Sequence, residues 1–182
     1  MVAVLERQSI NATLDPLANG DVLVEASVRS AREAEVEITL HLPLPRAYVW
    51  QHLSDYTRWS EFFPNLLCSR VVESHPEAWR GKLLHQVAGL PFLDLGPKVD
   101  IYLRAFEIEH KSIRFKLIRG SFTNFAAELR LDDREQGTLL TYRVEAQLAF
   151  PVPPFLIRQG IQGAFLSNLK HMRRMLCEAV QG

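Results

Sequence analysis

PPFLIRQGIQGAFLSNLKHMRRMLCEAV, residues 153–180, carries the pattern from which the rest of the chain is best read. Ile157, Ile161, Phe165, Leu169, Met172 and Leu176 recur every three or four residues, so they form one apolar stripe on a long helix. Such a stripe needs a broad apolar surface to lie on. Gly160 and Gly163 interrupt the sheet-ward half, and a helical glycine costs about 1 kcal/mol relative to alanine. Close approach or open space is therefore expected beside them, and space inside a fold usually means a ligand.

Working back from that helix, the chain reads as strands. Leu66–Ser74, Trp79–Ala88, Lys98–Glu109, Ser112–Arg119, Phe122–Leu131 and Thr138–Phe150 follow one another with short connections, which favours an antiparallel meander. Asp132-Asp133 and Gln136-Gly137 supply the turn before the last strand. Further upstream, Val36, Ile38, Leu40 and Leu42 alternate with Glu35, Glu37, Thr39 and His41, the pattern of a strand with one buried face. Leu42-Pro43-Leu44-Pro45 stops it, and Pro45 opens a helix to about Ser54. A second short helix covers Tyr56 to Phe63, with Trp59, Phe62 and Phe63 at helical spacing. Residues 1–33 read as an N-terminal arm with a possible extra strand at Val22–Val28, and residues 34–182 as one domain.

The 182 residues suffice for a continuous core without staples. Lys plus Arg and Asp plus Glu both number 21, so the net charge is zero and no broad basic field exists to hold nucleic acid. Cys68 and Cys177 form no metal-ligand or disulfide pattern, and no metal or cofactor is expected. Glu6 and Arg7 stand where a secretory leader needs apolar residues, so cytoplasmic residence is expected.

The order strand, two short helices, meander and long terminal helix resembles the helix-grip fold of the START-like (SRPBCC) superfamily, an α+β architecture. Within it the chain is similar to the polyketide cyclase/dehydrase and coenzyme-Q-binding branch. Pro45 to Trp50, Leu53-Ser54-Asp55-Tyr56, Phe63-Pro64-Asn65-Leu66, Arg119-Gly120-Ser121-Phe122 with Phe125, and the terminal helix carry the likeness. Ser121 stands where many members have an acidic residue, so no carboxylate role carries over there. The resemblance implies an apolar internal cavity that binds a lipid, a prenylated quinone or a polyketide-like compound.

Strand alternation places Leu83, His85, Ile101, Leu103, Phe115, Leu117, Arg119, Phe125, Tyr142 and Val144 on the inner face, with Ile161 and Phe165 of the helix opposite. Nearly all are apolar. Among the polar ones, His85 is a core histidine or a ligand contact, Arg119 a surface ion pair or a donor to a ligand carbonyl, and Tyr142 a packed aromatic or a donor to a ligand oxygen. In the related fold, the Gly89–Leu93 and Phe150–Leu156 segments lie near the cavity mouth. Leu90, Phe92, Leu93 and Phe155 are accordingly expected to form a gate or peripheral membrane contact. Lys170, His171, Arg173 and Arg174 add positive charge that complements the negative helix end or serves a partner.

No nucleophile elbow, phosphate loop or dinucleotide fingerprint is present, and no catalytic residue is assigned. Three functions remain: a binding or carrier protein for an apolar small molecule, an aromatase/cyclase or dehydratase working by orientation, and an interaction module of the ribosome-associating toxin type.

Overall fold

Glu33–Leu42, strand β2, buries Val36, Ile38, Leu40 and Leu42 and leaves the residues between them half-exposed, so its two-residue period sets which side of the sheet is inner. The computed structural model describes residues 22–74, 77, 80–89, 98–161, 163 and 166–179. β1 (Val22–Val28) pairs along β2 from Val22 opposite Leu40 to Val28 opposite Ala34. The remaining strands are β3 (Leu66–Ser74), β4 (Lys82–Ala88), β5 (Val99–Ile108), β6 (Ser112–Gly120), β7 (Phe122–Arg134) and β8 (Gly137–Leu148). They form one eight-stranded antiparallel sheet in the order β1-β2-β8-β7-β6-β5-β4-β3.

That order makes β3 the edge farthest from β1, so the chain leaving β2 must cross the sheet before it can start β3. The crossing is made by helix α1 (Arg46–Leu53), a 3₁₀ turn (Tyr56–Arg58) and helix α2 (Trp59–Phe62). α1 meets β7 and β8, while the 3₁₀ turn and α2 meet β3. The terminal stripe is split into α3 (Pro154–Gly160) and α4 (Leu166–Glu178), with Ile161 and Gly163 between them in a wider π-helical turn. α4 buries Leu169, Met172 and Leu176 and packs on α2 and β1. The result is a helix-grip fold. Among the described residues no helix is long and apolar enough to cross a membrane.

Aromatic rings fill the floor under the crossing helices. Phe115 of β6 meets Trp59 at 5.4 Å and Tyr56 at 6.1 Å, both edge-on. Tyr56, Phe62 and Phe115 are almost wholly buried, each worth about 1.5–3 kcal/mol of transfer free energy. Tyr56 also donates its hydroxyl to Glu107 at 2.6 Å, and Lys82 approaches the same carboxylate at 2.7 Å. Burial, then that hydrogen bond, raise the Tyr56 hydroxyl's pKa well above its ordinary value, so it stays a donor.

Two sequence expectations change here. Asp132 and Asp133 stay inside β7, opposite Leu139 and Thr138, and the turn is Glu135-Gln136 with Gln136 at φ +61°. β4 presents Leu84, Gln86 and Ala88 inward, opposite Leu103, Ile101 and Val99, so Leu83 and His85 face out.

Candidate functional site

A cleft of about 210 Å³ opens where α2, the start of β3, the end of β4 and α4 converge over β8. Its apolar lining is Trp59, Phe63, Leu66, Ala88 and Gly89. Its polar lining is Asn65, Gln86, Tyr142 and Asn168. Each arrives there for a local reason. Trp59 and Phe63 are four apart on one helical turn and meet at 5.4 Å, and the Trp59 indole donates to the Leu53 carbonyl at 3.0 Å, which anchors the ring. The Leu66 amide bonds to the Phe63 carbonyl and the Gly89 amide to the Asn65 carbonyl, fixing the rim.

Gln86 is a buried amide on an inner strand position, anchored by a hydrogen bond to Ser69 Oγ at 3.2 Å. Burial raises the Tyr142 hydroxyl's pKa above its ordinary value, so it enters any contact as a neutral donor. The arrangement is an apolar slot with a few amide and hydroxyl groups on its walls, which holds an organic group by burial and orients it by hydrogen bonds. Among the described residues, no cluster of three or more His, Cys, Asp or Glu could hold a metal ion.

Of the residues expected in a cavity, Tyr142 lines this cleft. Ile101, Leu103 and Phe115 lie on the inner face, fully packed in the core, and Leu117, Phe125, Val144 and Ile161 pack partly buried against it. Leu83, His85 and Arg119 are elsewhere. His85 sits on the outer face between Arg70, whose Nε donates to its Nδ1 at 3.0 Å, and Asp100 at 3.1 Å from its Nε2. Arg119 pairs with outward-facing Tyr102 because an irregularity between Tyr102 and Leu103 adds a residue to β6 and reverses its alternation after Leu117. Phe165, Leu90, Phe92 and Leu93 lie outside the described residues. Phe155 is 66% exposed at the start of α3.

Sequence reading passed over Asn65, Gln86 and Asn168; the Trp59 and Phe63 aromatics read as core packing or, alternatively, as a cavity wall, and the fold makes them both, packed with the core and lining the cleft. A polar residue at an inner strand position, Gln86, was the available signal; it was hidden by the choice of strand parity. Ser121, where a carboxylate is common in the resembled family, closes the β5–β6 corner instead: its Oγ accepts the Asp100 amide at 3.0 Å. Gly120 before it, at φ +142°, has no room for a Cβ beside the Asp100 carbonyl.

The basic side chains of α4 tie the helix down. Arg173 Nε donates to the His41 carbonyl at 3.1 Å, His171 Nε2 lies 3.1 Å from the Glu61 carbonyl, and Arg174 bonds to His171. Beside them both His41 ring nitrogens are buried without a hydrogen-bond partner. Burial, then Arg173, lower the His41 pKa; the nearby Glu135 backbone opposes this weakly without a hydrogen bond of normal geometry, and Arg134 adds to the lowering.

Residues 33–176 match the family described as polyketide cyclase/dehydrase and lipid transport. In structure the chain is similar to a START superfamily protein from Mycobacterium smegmatis, with a TM-score of 0.65 and 16% identity over 80% of this chain and 98% of that one. The Zhui aromatase/cyclase from a Streptomyces species superposes with a TM-score of 0.67 at 13% identity, over 81% and 96% of the two chains. A STAR-related lipid transfer protein from Xanthomonas axonopodis gives 0.65 at 15% identity, over 85% and 93%. No curated protein matches the chain in sequence.

Proposed function

Since the chain belongs to the polyketide cyclase/dehydrase and lipid transport family, we propose that it binds an apolar small molecule, a lipid, prenylated quinone or polyketide-like compound, in the cleft between α2, β3, β4 and α4, and carries or shields it without transforming it. The observation that supports this most is the cleft's chemistry: two aromatic faces and two aliphatic side chains against three amides and one hydroxyl, with no carboxylate, imidazole or thiol among the described residues that line it. A slot of about 210 Å³ takes one ring or a short stretch of chain, so the bulk of a larger guest extends past its rim.

Organic extraction of the purified protein, followed by mass spectrometry, tests the reading. A reproducible quinone, lipid or polyketide is expected, and Trp59→Ala is expected to lose it. An empty extract, with no quenching of tryptophan fluorescence by added quinone or fatty acid, would overturn it.

The enzyme reading is kept by one observation: Tyr142 is a neutral donor beside Gln86 and Asn168, a set able to polarise a ligand carbonyl and hold a chain for cyclisation. Product formation from a poly-β-ketone analogue, lost in Tyr142→Phe, would favour it over the carrier. Exposed Phe155 supports transient contact with a bilayer during loading. Liposome co-sedimentation that is the same for wild type and Phe155→Ser would reject that contact.

A further inference from the structure

The sheet's outer face carries a second constellation, unconnected with the cleft. The strand registers place Arg70, His85, Tyr102 and Arg119 side by side across β3, β4, β5 and β6. The next row, two residues along in β4 and β5 and three along in the irregular β3 and β6, runs Glu73, Leu83, Arg104, Lys116. Arg119 lies over the Tyr102 ring, its Cζ 3.9 Å from the ring centre, and Tyr102 stacks on His85 at 4.5 Å and 22°. Arginine cannot accept a hydrogen bond, so the Arg70 contact leaves His85 Nδ1 as the acceptor and puts the proton on Nε2, facing Asp100. His85 is thus a neutral spacer that holds Arg70 and supports Tyr102 under Arg119. The stack places the Arg119 guanidinium over the ring while leaving its N–H groups without an acceptor among the described residues, an arrangement set before any partner arrives.

Charge is divided across this face. On the β7, β8 and β2 side, Arg143 meets Glu35 and Glu145, and Arg114, which reaches β7 from β6, meets Glu128. On the β3 to β6 side, Arg70, Lys116 and Arg119 have no carboxylate partner among the described residues, and Arg104 has only Glu73 at 3.6 Å. Beside Lys116 and Arg104 an open depression of about 430 Å³ includes Phe106, Leu117 and Ile118, the last 51% exposed. Cations without counter-charge next to exposed apolar surface are the complement of an acidic segment with an apolar anchor.

We propose that this convex strip docks an acidic segment of a partner protein. Four adjacent strands put Arg70 and Arg119 roughly 14 Å apart at their backbones, and both side chains lean inward, Arg70 onto His85 and Arg119 over Tyr102, so their guanidiniums lie closer together than that. Two carboxylates within four residues of each other on an extended segment would therefore reach both guanidiniums, with an apolar side chain in the depression by Ile118. Asp100 and Glu73, interleaved with the cations, disfavour a uniformly anionic partner such as nucleic acid or an anionic bilayer. Addition of a strand at the β3 edge is disfavoured too, since β3 is irregular at Leu66/Cys68 and Val71/Glu73.

The test is selection of random 12-residue peptides on phage against the full chain, with counter-selection on a Lys116→Glu/Arg119→Glu variant whose circular dichroism matches wild type. Enrichment of acidic peptides with two Asp or Glu within four residues of each other and an apolar neighbour is expected. A labelled peptide of that class should bind the variant at least tenfold more weakly, and wild type more weakly as salt rises. Enrichment that ignores the two substitutions, or that yields neutral or basic peptides, would overturn the proposal. So would a labelled 20-nucleotide strand, or phosphatidylglycerol vesicles, displacing the peptide from wild type at lower concentration than the peptide itself binds.

Discussion

The two faces of the one sheet handle polar groups in opposite ways. On the concave face outside the cleft, buried polar groups are mostly spent internally: Thr138 on the Leu44 carbonyl at 2.7 Å, Tyr56 on Glu107, and even Gln86 of the cleft wall is anchored on Ser69. On the convex face between β3 and β6, the Arg70 and Arg119 guanidiniums are held in place by His85 and Tyr102 with no carboxylate partner among the described residues. Burial explains the difference. A buried polar atom without a partner costs about 1–3 kcal/mol, whereas an exposed cation keeps its water at almost no cost. The inner face is therefore under strong constraint from stability, and the outer one is free to be shaped by a partner.

If that contrast is right, the largest effect comes from Phe115→Ala. It removes the ring on which Trp59 and Tyr56 rest, and a loss of about 3–5 kcal/mol in urea unfolding is expected. A loss under 1 kcal/mol would mean that the floor is looser than its geometry. Next is Tyr56→Phe, which deprives Glu107 of its tyrosine donor and leaves it Lys82 alone; about 1–2 kcal/mol is expected by the same measurement.

His41 is the exception on the seam between β2 and α4, a buried group left unpaired, and it gives the contrast a pH signature. Its folded pKa lies below the ordinary 6.5, so the unfolded chain binds the proton more readily. Its contribution to stability is full above pH 6.5 and declines as pH falls through the folded value. The urea midpoint should fall with acidification across that window. The fall should be smaller in His41→Leu, and an unchanged slope would show that the ring titrates freely.

The smallest effect belongs to the outer face. Arg143→Ala and Arg119→Ala should each leave thermal unfolding nearly unmoved, since both side chains are exposed, but Arg119→Ala alone should weaken the acidic peptide. Equal weakening by both would remove the division of charge on which the docking strip rests.

Much of this was legible in residue order. The two-residue period of β2, the prolines at 43 and 45, and the stripe from Ile157 to Leu176 reported strand, stop and helix, because those patterns are local. The site was less legible. Leu83-Leu84-His85-Gln86-Val87-Ala88 has apolar residues on both parities, so its alternation cannot say which set is buried. The decision falls to β5, which lays Leu103 beside Leu84 and Ile101 beside Gln86.

Arg119 was misplaced for the same kind of reason, since the extra residue that turns it outward exists only where β5 and β6 meet. Trp59 and Phe63 could be seen as a helical aromatic pair, but whether a ring faces core or cleft depends on what stands across from it, here Asn168 on a helix more than a hundred residues later. Periodicity therefore determined which elements form and which chemistry the chain possesses. Tertiary pairing alone decided that His85 and Arg119 join a charged outer strip while Gln86 enters the cleft, because a strand's two faces differ by a single residue of register and only the neighbouring strand selects between them.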